Sequence, residues 1–355
     1  MLFSVLASVA LGCFLLEGVA AVPSQLDPIV RLNSDLSSKK AATSCFPSLN
    51  FTMPSSVPSS LDNWWCSMST EYAFVGFSYE VTACQSLSAL KKDFLDIKKT
   101  FEGRYVRLYG ACDRKGFYDD IVNAAWQAGI GVHALIWFGW EDPNIWKTRR
   151  DTLLASLHSN PKAKFVTRAL QFGSEPLYDY ALSASDLTKQ INKAKANLSS
   201  LQIPVTVSEM PYGYQERAGD GSQNVLNAID IIDAHVLPFF STEATFGSKS
   251  WSIVKEYINY FIDNGNGKKI YLSQNGWPST TYPGVEPNSP SAVADVKNEQ
   301  DYFKLLDHNC AYFKTAGGGG IGWFAHIYSD NQEPGYGIYG TNGKLKFPFS
   351  PQISC

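Results

Sequence analysis

Residues 268–279 read Lys268-Lys269-Ile270-Tyr271-Leu272-Ser273-Gln274-Asn275-Gly276-Trp277-Pro278-Ser279. A short apolar strand, Ile270 to Ser273, runs into a polar pair. It then breaks at Gly-Trp-Pro, a turn that presents an indole beside the C-terminal end of the strand. Parallel α/β barrels assemble their sites in this way, with a reactive side chain at the end of a buried strand and a pocket built from the following loop. A barrel of this kind requires seven companion strand ends elsewhere in the chain.

They are found from residue 72 onward, as strands alternating with helical patterns. Candidate strands are Phe74–Glu80, Tyr105–Gly110, Gly131–Trp137, Ala169–Glu175, Pro204–Glu209, Ile231–Val236, Ile270–Gln274 and Ile321–His326. Amphipathic helical runs follow the first strand (87–101), the second (118–129) and the fourth (183–201, opening on a Ser or Asp cap). Further helices are expected at 251–265 and, as one long helix, at 298–317. Eight alternations predict a single (β/α)8 barrel, a fold that uses about 250 residues or more. The expected organisation is a leader at 1–21, a propeptide or flexible segment at 22–44, an N-terminal extension at 45–71 stapled by disulfide, and the barrel at 72–355.

The composition fits this organisation. The 355 residues are 45% hydrophobic, enough for a large core, and the net charge of −3 gives no reason to expect nucleic acid as a partner. Aromatics reach 14%, including 9 Trp and 18 Tyr. Such rings either fill a core or stack on the apolar face of a sugar. Residues 2–21 are an apolar run ending in small residues, as in a secretory leader, and Glu17 interrupts it against a membrane-spanning reading. No later stretch is long and apolar enough to span a bilayer, and the C-terminus has no hydrophobic tail for a lipid anchor. A secreted, extracellular or wall-associated monomer without a membrane anchor is expected.

Lys39-Lys40 reads either as a dibasic processing site or as an ordinary exposed pair. Without the leader, and hence without Cys13, six cysteines remain: Cys45, Cys66, Cys84, Cys112, Cys310 and Cys355. In an oxidising compartment they imply up to three disulfides, of open connectivity. No cysteine–histidine cluster calls for a metal, and nothing calls for a cofactor. Asn50-Phe51-Thr52 and Asn197-Leu198-Ser199 are glycosylation sequons.

Gln274-Asn275-Gly276-Trp277-Pro278-Ser279 resembles the Glu-Thr-Gly-Trp-Pro-Ser signature of glycoside hydrolase family 17, the β-1,3-glucanases, whose Glu is the nucleophile. Gly173-Ser174-Glu175 is similar to the family's Gly-Asn-Glu, which implies an acid/base role for Glu175. Val106-Arg107-Leu108-Tyr109 and Ala234-His235-Val236-Leu237-Pro238-Phe239-Phe240 resemble its second- and sixth-strand segments. Asp330-Asn331-Gln332-Glu333-Pro334 loosely resembles its Asp-Glu-Pro-Trp-Lys stretch. The resemblance spans roughly residues 72–345 and implies a β-glucan polysaccharide or oligosaccharide as ligand.

The departures fall on the chemistry. A glycosidase needs two carboxyl groups flanking the scissile bond. The amide of Gln274 carries no charge and cannot form a glycosyl ester. Ser174 stands where the family's Asn binds the sugar 2-hydroxyl. The catalytic positions are thus Glu175 and Gln274. The expected binding residues are Glu80, Tyr109, Trp137, Ser174, Glu209, Tyr212, His235, Trp277 and Trp323, with the aromatics lining a groove. Three readings remain open: a glucan-binding barrel with impaired hydrolysis, an active hydrolase or transglycosylase, and a non-catalytic wall protein or effector. An active enzyme would need a displaced carboxylate, with Glu209 preferred over Glu80 and Glu141. Glu209 reads more readily as a hydrogen-bonding residue that orients Glu175 or a sugar hydroxyl.

Overall fold

The computed structural model describes residues 44–139 and 142–355. The leader with Cys13, the Lys39-Lys40 pair, the rest of the 22–44 segment before Ser44, and Glu141 lie outside the described residues. Eight parallel strands close into a barrel in sequence order. They are β1 (Ala73–Glu80), β2 (Tyr105–Tyr109), β3 (Gly131–Leu135), β4 (Thr167–Ser174), β5 (Val205–Glu209), β6 (Ile232–Val236), β7 (Ile270–Asn275) and β8 (Ile321–Ala325). The (β/α)8 architecture expected from the alternation is the one observed.

Period-two alternation sorts the strand side chains. On β2, Val106 and Leu108 join the main hydrophobic core. Tyr105 belongs to a separate apolar layer with Val75, Ala169, Ile231, Tyr271 and Phe324, and Arg107 reaches across to Gln171 on β4. The surrounding helices are α1 (Leu87–Thr100), α2 (Phe117–Ala128), α3 (Ile145–Ser159), α4 (Ala163–Val166), α5 (Ala184–Leu198), α6 (Ser222–Ala228), α7 (Trp251–Asn264), α8 (Val296–His308) and α9 (Cys310–Thr315). On α1, Leu90, Phe94 and Ile97 form the buried stripe. Ser183 caps α5 by accepting from the Asp186 amide at 3.1 Å.

The long helix expected over 298–317 is instead two. Asn309 separates α8 from α9, and its side-chain nitrogen donates to the Leu305 carbonyl at 2.8 Å. A short amide side chain that competes for the backbone in this way ends a helix readily.

The foot of the barrel is closed by the N-terminal extension, which the Cys45–Cys66 disulfide ties to itself. Trp64 stacks on Trp126 at 6.0 Å and donates Nε1–H to the Phe165 carbonyl at 2.7 Å. Glu71 is fully buried there and accepts from Tyr105 Oη at 2.6 Å, from Arg168 at 2.8 Å and from Tyr271. The C-terminal segment returns to the same end. The Phe74 amide donates to the Gln352 carbonyl at 3.0 Å, and Cys355 is bonded to Cys310. The remaining disulfide, Cys84–Cys112, joins the loops that follow β1 and β2 at the opposite, C-terminal end of the barrel.

Candidate active site

Two irregularities in the sheet aim the central residues. The β4–β5 ladder shifts register between Gln171 and Ser174, and the β6–β7 ladder shifts between Ala234 and His235. Bulges of this kind re-aim side chains beside active sites. Gly173, at φ +100°, gives β4 the backbone freedom it needs at its shift. Glu175 follows at φ +56°, a conformation that strains a non-glycine residue and that the surroundings must enforce.

Arg107 organises the interior below the mouth. Its Nε donates to Gln171 at 2.8 Å, and its Nη2 donates to Ser174 and Ser208 hydroxyls at 2.9 Å each. Nη1 makes a long bond, 3.4 Å, to the carbonyl oxygen of Gln274. Every one of these acceptors is neutral. Burial pulls the guanidinium down to about 10, which still leaves it charged at neutral pH.

His235 links this layer to Glu175. Its Nδ1 lies 2.7 Å from Glu175 Oε1, and its Nε2 faces both Ser208 Oγ at 2.7 Å and Arg107 Nη2 at 3.2 Å. A guanidinium can only donate, so Nε2 accepts and the proton sits on Nδ1, donated to the carboxylate. Burial holds His235 below the ordinary imidazole value, in keeping with a neutral ring. For Glu175, burial pushes upward, but the His235 hydrogen bond, with Arg107 and His326, brings the carboxyl below its usual value.

Above this layer opens a cleft of ≈ 610 Å³, lined among others by Glu175, Gln274, His235, Tyr212 and Glu333. The expected pair on β4 and β7 is thus brought together, and Tyr212 stands on the wall. Ser174 and Trp137 line a neighbouring cleft of ≈ 230 Å³. Tyr109 meets Trp137 edge to face at 5.0 Å and carries the Arg107 guanidinium 5.4 Å over its ring.

Other expectations do not hold. Trp277 and Trp323 are completely buried and line no groove. Trp277 turns outward from β7 to pack on Phe239 at 5.2 Å and donates to the Val293 carbonyl at 2.8 Å. Trp323 stacks on Phe303 at 6.0 Å behind β8. Glu209 is also fully buried, and its carboxylate is occupied by backbone amides: Leu177 at 2.8 Å, Tyr178 at 3.1 Å and Met210 at 2.9 Å. It faces loop backbone, not the cleft, and is no displaced catalytic base. Glu80 accepts from the Thr82 amide at 2.7 Å and serves its own turn.

Two residues of the site, Arg107 and Glu333, lie in the family-like segments 106–109 and 330–334 but were not among the expected site residues. Arg107 was signalled by a cation at an inward position of a buried strand, between Tyr105 and Tyr109. Glu333 comes from the loop after β8, where it accepts from His326 Nε2 at 3.0 Å, and no periodicity marks a loop carboxylate.

The family model described as the BtgE/BtgC glycoside hydrolase domain matches residues 73–337. The chain belongs to this family. The expected membership of a glycoside hydrolase family is met by this match, and the expected resemblance to family 17 is met at the level of fold. A Rhizomucor miehei β-1,3-glucanosyltransferase of family 17 superposes with a TM-score of 0.62 at 19% identity, over 81% of this chain and 99% of that one. An active-site mutant of the Rhizomucor miehei enzyme in complex with laminaritriose gives 0.62 at 18% identity, over 80% and 99%. A calcium-binding mutant of Bacteroides uniformis β-glucuronidase 2 gives 0.54 at 12%, over 80% of this chain and 34% of that one. At these identities the likeness is one of fold. No curated protein sequence matches the chain.

Proposed function

We propose that this glycoside hydrolase-like barrel binds β-1,3-glucan in its cleft outside the cell, with hydrolysis impaired or lost. The observation that carries the reading is the pairing of an ionised Glu175 with a neutral amide at Gln274. A retaining glycosidase needs a charged nucleophile and a protonated acid. In such a pair the nucleophile's charge is what keeps its partner protonated. With Gln274 opposite, that like charge is missing, while His235 and Arg107 favour the carboxylate of Glu175. Both halves of the mechanism are therefore disabled by one substitution. Binding does not need the charge, since an amide still donates and accepts hydrogen bonds to sugar hydroxyls. The laminaritriose complex of the Rhizomucor miehei neighbour supports the choice of ligand. The leader-like residues 2–21 and the disulfides support the extracellular setting.

The test is release of reducing sugar from laminarin by the wild type, Gln274→Glu and Glu175→Gln, with binding followed by calorimetry. The expected result is a silent wild type that binds, and turnover in Gln274→Glu, whose new carboxylate both supplies the nucleophile and raises Glu175. Absence of binding to any wall glucan would sink the reading. A second reading, residual inverting hydrolysis, is favoured by Glu333 lining the same cleft. It requires wild-type turnover that disappears in Glu333→Gln.

A further inference from the structure

Seven large apolar side chains are exposed among the described residues, and three of them sit together: Tyr178 at 38%, Tyr180 at 64% and Tyr212 at 46%. They surround one cation. The Arg217 guanidinium lies 5.6 Å from the Tyr178 ring centre, 4.8 Å from Tyr180 and 5.2 Å from Tyr212, and its Nη1 donates to Tyr180 Oη at 2.5 Å. Tyr178 and Tyr212 are 6.0 Å apart, their planes inclined at 64°. Isolated exposed rings need no explanation, but rings fixed around a shared guanidinium form a rigid platform.

Two loops contribute, and Glu209 fastens them. Tyr178 and Tyr180 follow β4, whereas Tyr212 and Arg217 follow β5. One Glu209 carboxylate holds the amides of Leu177 and Tyr178 in the first loop and of Met210 in the second. Just after Tyr212, the chain makes a wide turn over Gly213–Arg217 that returns Arg217 to the rings. Gly213 is required there, because a Cβ would stand 2.5 Å from the Glu209 carboxylate.

We propose that this platform is a binding subsite for a further glucosyl unit of the chain held at Glu175, on the β4–β5 side of the cleft. The inference rests on the glucan reading above and deepens it. Tyr178, Tyr212 and Arg217 line the same cleft as Glu175 and Gln274, so the surface is continuous with the centre. The C–H face of a pyranose stacks on a ring, while Tyr hydroxyls and the guanidinium meet the hydroxyls around its edge. The patch consists of three rings and one guanidinium. A protein interface would need roughly 1,000 Å².

Calorimetry with laminaritriose and laminarihexaose separates the possibilities. The wild type is expected to bind the hexaose more tightly than the triose. In Tyr178→Ala/Tyr212→Ala the hexaose advantage over the triose should fall about tenfold. Tyr178→Phe/Tyr212→Phe, which keeps the rings, should retain most of it. Equal wild-type affinity for both ligands, or an alanine variant that keeps its hexaose advantage, would overturn the platform and leave glucan binding standing. A wild type that binds neither would overturn the glucan reading and the platform with it.

Discussion

At the scale of single residues, the site is governed by where charge is allowed. Asp179, one helical turn beyond Glu175, is pushed up to about 7, first by burial and then by the Glu175 charge. Its folded value thus lies above its unfolded value of about 3.9. The folded chain holds this proton more tightly, so the stabilisation is complete below about pH 4 and is lost as pH rises through about 7. Asp179→Asn should remove that loss. Its melting temperature relative to wild type is expected to climb steadily from pH 4 to pH 8, and a difference independent of pH would contradict the assignment. Residue identity in the sequence announced Glu175 and Gln274 because both end strands. It misdirected Trp277, since a Gly-Trp-Pro turn after a strand looks equally ready to face the mouth or the helical layer. Only the packing of Phe239 and Tyr302 on the outer side decides between them.

At the scale of elements, the strands were legible because short buried runs alternate with helical patterns at barrel spacing. The register shifts before Ser174 and His235 were not, because a bulge leaves the composition of a strand unchanged while moving its side chains to another face. The same limit hid the role of Glu209. A strand-end glutamate reads as a candidate base, yet here it joins the loops after β4 and β5. Glu209→Gln replaces one acceptor by an amide NH₂ that meets a backbone N–H. The expected cost is about 1–3 kcal/mol of stability by urea denaturation. A displaced catalytic base would predict the reverse pattern, unchanged stability with altered turnover.

At the scale of the whole molecule, the two ends of the barrel do different work. The mouth carries the cleft, and the foot is sealed by the extension through Trp64, Glu71 and the Cys45–Cys66 bond. That bond closes a separation of 21 residues, for which loop-closure entropy gives about 3 kcal/mol. Cys45→Ser/Cys66→Ser should lower unfolding stability by that order while leaving laminaritriose affinity unchanged below the melting transition. Coupled loss of affinity would mean that the foot supports the mouth. The C-terminal segment is anchored at this same foot, through the Gln352 carbonyl and the Cys310–Cys355 bond. Anything joined to the chain there, whether a bead, a sensor surface or a fused protein, therefore tethers the molecule by its base. The cleft then points away from the support, so a polymer far larger than the protein can still thread across it.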